Sequence, residues 1–198
     1  MHEWIGWLGA AVLLMVSAAA QSAIGFGSAL FATPLLVWMG MELPHAITLV
    51  STCSMLQSAL AAHELRREIP WRLAGWATAV RLFFVLVGLW ALKAVLRMGT
   101  DYVRLALGIV LAVATVMQMA SDRPPRPRLS WTWDALAFPA SGLMAGFSGM
   151  GGPPLVLWAM AHDWPTRKIR GFLFAVFAAS IPFQLVLLRF SFGPRIWT

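Results

Sequence analysis

Two glycine clusters interrupt otherwise apolar sequence, Gly25-Phe26-Gly27-Ser28 and Ser148-Gly149-Met150-Gly151-Gly152-Pro153-Pro154. Glycine carries no Cβ, so a ligand can approach the backbone closely. A helix that restarts after such a break presents unpaired N–H groups and the positive end of its dipole. That combination suits an anion. Proline just inside a helix start gives up only a donor that had no helical partner. The candidate binding residues are therefore Gly25, Gly27, Ser28 and Pro34 around the first cluster. Around the second they are Ser148, Gly149, Gly151, Gly152 and Pro153. One such cluster alone reads more simply as close helix packing. Two at matched positions, each associated with proline, favour a site.

Arg81 lies ten residues after Trp71 in an apolar run, about 15 Å along a helix. A charge at that depth usually faces a bundle interior. It either counters a substrate's negative charge or serves a structural ion pair or snorkelling role. Gln57 and Gln184 join the candidate set as polar groups on apolar helices, Gln184 close to Pro182. Ser51, Ser54 and Ser58 stack on one helical face. With Gln21, Ser22 and Ser180 they either line a path or hydrogen-bond between helices. Gly142-x-x-x-Gly146 reads as helix packing. His45, His63 and His162 fall at segment ends.

Enzymatic and metal chemistry find no support. The second cluster lacks the Gly-Lys-Ser/Thr ending that grips nucleotide phosphates. There is no His-Glu-x-x-His and no serine in a nucleophile elbow. The one cysteine, Cys53, offers neither a disulfide nor a metal cluster. No catalytic residue, cofactor or metal is expected.

The elements that must position these residues are apolar helices. Of 198 residues, 60% are hydrophobic and 12% charged, with a mean hydropathy of +0.74. A soluble domain carries about a quarter charged residues. The apolar residues come in blocks that approach the roughly 20 needed to span a bilayer. The alternation of a membrane β-barrel is absent. The blocks predict segments at Trp4–Ser22, Ala29–Met41, Ala46–Ala62, Trp71–Leu96, Tyr102–Ala120, Ala135–Phe147, Leu155–Ala161 and Gly171–Leu188. Glu42–His45 reads as a turn and Asp163–Arg170 as a polar link. The amino terminus lacks the basic start of a cleavable signal peptide, so its apolar run counts as a retained helix.

Ser121–Asp134 is the extended polar connector, and its prolines disfavour helix. It divides the chain into a first transmembrane repeat, 1–120, the connector, 121–134, and a second repeat, 135–198. The net charge of +7 reads as a positive-inside signal plus affinity for anionic lipid, with no nucleic-acid partner. Arg66, Arg67, Arg72, Arg123, Arg126, Arg128, Arg167, Lys168 and Arg170 share one side if every segment crosses. Lys93, Arg97, Arg104, Arg189 and Arg195 share the other, which places the first group in the cytoplasm.

The two halves echo each other. Pro34-Leu35-Leu36-Val37-Trp38 matches Pro154-Leu155-Val156-Leu157-Trp158, and Pro44 and Pro165 follow in turn. Trp38 and Trp158 are expected to pack beside the breaks. Five segments before the connector would invert the second half relative to the first. Paired, interrupted segments of this kind point to a transporter's binding site, because lipid tolerates broken backbone only where protein or a cavity covers it. After Trp71 the first half has two further spans, whereas Trp197 is near the end. The repeat therefore predicts that the second half is incomplete by two helices, roughly 50 residues.

These features resemble the sulfite exporter TauE/SafE family. Gly25-Phe26-Gly27 with Pro34-Leu35-Leu36 fits one Gly-rich break and its Pro-Leu-Leu sequel, with Ser28-Ala29 where that family tends to have glycines. Ala145–Leu155 fits the second break more closely. Ser58-Ala59-Leu60-Ala61-Ala62-His63, the following basic residues and Trp71 resemble the family's third-helix exit. The resemblance implies transport of sulfite, sulfonate or thiosulfate-like anions; the residues alone reach only a small anion.

The expectation is an all-α, polytopic transmembrane helix bundle of two inverted-topology repeats with broken or re-entrant helices. It would work as a permease by alternating access in a bacterial-type inner membrane, as a multi-pass protein. Its partners would be a small inorganic or organosulfur anion, membrane lipids and, as an open option, a second copy in a homo-oligomer. The alternatives are a non-transporting scaffold or assembly subunit and an anion channel.

Overall fold

The computed structural model describes residues 2–24, 27–119 and 129–193. Within them the chain is all-helical, in eight helices: α1 His2–Ile24, α2 Ser28–Trp38, α3 Leu43–Glu64, α4 Trp71–Leu96, α5 Thr100–Met119, α6 Trp131–Ser148, α7 Gly152–Met160 and α8 Thr166–Phe192. Three of them, α4, α5 and α8, are long and apolar enough to cross a membrane. The order long, short, long appears in α1–α2–α3 and again in α6–α7–α8.

Several helices start earlier than the residue pattern suggests. Glu42–His45 is not a turn, since α3 begins at Leu43 with Pro44 in its first turn. Proline there brings a helix-compatible φ and loses no helical bond. Trp131–Asp134 belongs to α6 rather than to the connector, after an extended Ser130. Of that connector, 121–128 lie outside the described residues. Arg167, Lys168 and Arg170 belong to α8, which follows the extended Pro165. In each case polar or proline residues occupy the first turn, exposed in α6 and α8 and largely buried in α3, where hydropathy alone suggests a loop.

Polarity is distributed inside out. Phe83, Val87 and Trp90 on α4, Ile109 and Val116 on α5, and Phe183 and Phe190 on α8 are exposed. Ser17, Gln21, Ser54, Arg81, Ser141, Ser180 and Gln184 are buried. An apolar exterior, with the polar groups of the spans gathered inside an otherwise apolar core, is the arrangement that lipid solvent demands.

Helix α4 packs most extensively on α6, and α3 on α8. The α4–α6 contact is made backbone to backbone. A Cβ at Gly142 would strike the Arg81 carbonyl, one at Gly146 the Val85 carbonyl, and one at Gly88 the Leu143 carbonyl. Without hydrophobic drive in lipid, such close approach supplies the van der Waals contact that holds helices together. The Gly142/Gly146 pair is thus a packing seam, as its spacing suggests, with Gly88 as its counterpart. This seam carries Arg81 to the corner where α6 turns into α7.

Candidate functional site

Both breaks are real interruptions, and both need glycine. Gly27, the residue before α2, has φ of 113°, and Gly149, which ends α6, has φ of 75°. Side-chain-bearing residues rarely adopt that left-handed backbone. At the first break, Leu30 and Phe31 donate to the Gly27 carbonyl at 3.0 and 3.3 Å. The Ser28 and Ala29 amides have no acceptor within α2. At the second, α7 opens with Gly152, Pro153 and Pro154. The two prolines carry no N–H, so the amino end of α7 offers Gly152 and the preceding Gly151 as amide donors.

The two breaks line one cavity. Its walls are Gln21, Gly27–Leu30, Val50, Ser51, Ser54, Arg81, Gly149–Pro153, Phe177, Ile181 and Gln184. Its volume is about 50 Å³. One water needs on the order of 10–15 Å³, so the space holds a few waters or one small oxyanion.

Arg81 is the charged residue in this wall. It is 3% exposed. Nη1 donates to Ser180 Oγ at 2.7 Å, and the guanidinium lies over the Phe177 ring, 5.1 Å from its centroid. Ser180 in turn donates to the Val176 carbonyl at 2.7 Å. The Arg81 Nε–H has no partner, and no carboxylate pairs with Arg81 among the described residues. A Cβ on Gly151 would lie 2.8 Å from Arg81 Nη2, so the guanidinium touches the backbone of the second break. A buried, uncompensated cation with a spare donor is costly unless something negative joins it.

Neutral polar groups complete the wall. Ser28 and Ser54 share a 2.8 Å hydrogen bond, and Ser54 also donates to Gln21 Oε1 at 3.2 Å. Ser141 donates to the Gly151 carbonyl at 2.5 Å, turning that acceptor away from the space. Gln184 Nε2 donates to the Ala145 carbonyl at 2.8 Å, which braces α8 against the end of α6.

Of the residues singled out from sequence, Gly27, Ser28, Arg81, Gly149, Gly151, Gly152, Pro153 and Gln184 come together here. Gly25 lies outside the described residues. Pro34 does not line the cavity; it sits in the interior of α2 rather than its first turn. Ser148 is occupied locally, donating to the Met144 carbonyl at 2.9 Å. Gln57 Nε2 donates to the Ala18 carbonyl at 2.7 Å and ties α3 to α1. Ser58 is buried away from the space.

Trp38 and Trp158 have different surroundings despite their matched sequence. Trp158 is 2% exposed, donates to Asp134 Oδ1 at 2.6 Å and packs among Phe138, His162, Trp164 and Phe172. Trp38 is 80% exposed. Repeated sequence therefore does not give repeated packing at this position. Sequence reasoning set Gln21, Ser51 and Ser54 aside as general polar edges and passed over Ser141 and Phe177. Only the serine spacing on α3 carried a signal for any of them.

A second hollow, about 640 Å³, opens where α4 ends and α5 begins. Lys93, Arg97, Arg104 and Glu42 are among its walls. Arg97, Arg104 and Glu42 are exposed, unlike Arg81.

A family model described as Sulfite exporter TauE/SafE matches residues 9–195. No curated protein and no solved structure gave a significant match. An inside-out helical protein with a buried cation between two helix breaks, matched over nearly its whole length, belongs to the sulfite exporter TauE/SafE family of membrane transporters for sulfite-type anions.

Proposed function

We propose that this chain is a permease that carries a small sulfur-containing anion through the cavity between its two helix breaks. One observation supports the reading above the rest: both breaks and Arg81, whose Nε has no partner among the described residues, line the same small space. Helix amino ends and a desolvated arginine attract the same kind of ligand. In this reading the Ser28, Ala29 and Gly152 amides and Arg81 hold the oxyanion. The Ser51 hydroxyl completes its coordination, while Ser28 and Ser54 spend their protons on each other and on Gln21.

Residues 1–120 and 135–198 then act as two repeats of inverted topology, with 121–134 joining them. The broken helices α1–α2 and α6–α7 meet in the interior of a multi-pass bundle in a bacterial-type inner membrane. Rocking of one half against the other exposes the cavity to alternate sides, as paired broken segments permit. The basic side containing Arg66, Arg67 and Arg72 faces the cytoplasm.

Radiolabelled sulfite uptake into proteoliposomes containing the purified chain tests this. The expected result is saturable uptake that unlabelled sulfite competes away. Rapid uptake that does not saturate would make the chain a channel. No uptake at all would make it a scaffold or assembly subunit, and the permease reading would be lost.

A further inference from the structure

We propose that the cavity selects monoanions, so that sulfite is taken as hydrogen sulfite, alongside small sulfonates, and dianions are refused. This rests on the permease reading and adds the charge state of its cargo. Charge and donors around this one small cavity are unevenly supplied. Arg81 contributes one positive charge. No other residue in the wall is Lys, Arg, His, Asp, Glu, Cys or Tyr. Residues 22–26, whose side chains are not described, are Ser, Ala, Ile, Gly and Phe and carry no charge either.

The titratable groups of the surrounding helices are elsewhere. On α3, His45 sits in the first turn and pairs with Glu42, while His63 and Glu64 close the helix. Cys53 on the same helix is exposed. On α6, Asp134 is in the first turn and bonded to Trp158. Helix α8 keeps Arg167, Lys168, Arg170 and Arg189 in its terminal turns, and α4 keeps Arg72 and Lys93 in its own. Nothing in the wall takes or gives a proton in the neutral range, since arginine stays protonated throughout.

A single guanidinium balances a single negative charge. A second charge in the same small volume would rest on dipoles alone. At the start of α7 those dipoles are fewer than usual, because Pro153 and Pro154 remove two amides. Val50, Phe177 and Ile181 add apolar surface to the wall. An uncompensated charge is expensive in such surroundings. Hydrogen sulfite meets the inventory with one charge. Its proton comes from water before binding and finds acceptors in the Ser28, Ser51 and Ser54 hydroxyls.

The experiment is competitive binding on the full chain in nanodiscs, using sulfite, methanesulfonate and sulfate from about pH 6 to about pH 9. Apparent sulfite affinity should fall about tenfold per pH unit once hydrogen sulfite becomes the minor species. Methanesulfonate affinity should stay level, and sulfate should bind at least about tenfold more weakly than hydrogen sulfite. Sulfite affinity that is flat or rising with pH overturns the proposal. So does sulfate binding as tightly as methanesulfonate, or methanesulfonate affinity that falls in step with sulfite. If neither sulfite nor methanesulfonate binds at any pH, the permease reading itself has failed and this inference goes with it.

Discussion

Arg81→Gln should lower the affinity for sulfite by about 30- to 1,000-fold, the loss expected when one side of a desolvated, hydrogen-bonded charge pair is removed. Titration of the purified variant by calorimetry measures the loss directly. The same substitution has the opposite sign for the empty protein. Among the described residues Arg81 is buried without a counter-ion, with Nε unpartnered, so a neutral side chain removes an unfavourable term. The ligand-free variant should unfold in detergent at the wild-type temperature or above it. Wild-type protein should gain about 2.7 kcal/mol at a sulfite concentration 100 times its Kd, and the variant less than about 1 kcal/mol at that same concentration. If instead the ligand-free variant is markedly less stable, Arg81 is a structural brace and its part in anion binding is disproved.

Gly151→Ala should weaken anion binding by about tenfold or more and lower stability by about 1–3 kcal/mol, the usual cost of overpacking. The added methyl would lie 2.5 Å from the Ser141 carbonyl, 2.6 Å from Ala145 Cβ and 2.8 Å from Arg81 Nη2. Two of these neighbours cannot swing aside, because one is backbone and the other is fixed to α6. The corner between α6 and α7 must therefore open, moving the Gly152 amide and the guanidinium apart. Affinity and thermal unfolding measured on the same preparation separate the two effects. A variant that binds sulfite at wild-type strength would remove the second break from the site.

The position of each break was legible because glycine and proline act on the backbone itself. Gly27 and Gly149 adopt conformations that few other residues tolerate, and Pro153 and Pro154 mark the first turn of α7. Arg81 was legible through cost, since a charge deep in an apolar run needs a reason. What hydropathy obscures is the helix start. Leu43, Trp131 and Thr166 open helices with polar or proline residues nearby, because the first turn of a helix has amides without helical partners and tolerates both.

Partnerships across the bundle were less legible. Gly142 and Gly146 announce a packing seam, but nothing in sequence says that Gly88 and the Arg81 carbonyl lie opposite. Pro34 looks equivalent to Pro154 by its neighbours, yet it lies inside α2 while Pro154 lies at the start of α7. The Trp38 and Trp158 pair misleads in the same way. Local sequence fixes where a chain bends; which surfaces then meet depends on contacts between distant residues such as Arg81 and Ser180. Gln57 and Ser148 show the same limit, since their polarity is consumed by carbonyls of α1 and of α6 itself.

The two amino ends and the guanidinium are held to bind one anion together, and locating that anion is the direct test. Selenite is a heavier analogue of sulfite whose position anomalous diffraction can mark in crystals of the full chain. The account predicts a peak within hydrogen-bond reach of Arg81 and the Gly152 amide, between the starts of α2 and α7. Selenite ordered only elsewhere, for instance among Lys93, Arg97 and Arg104, with the inner cavity empty, would contradict it.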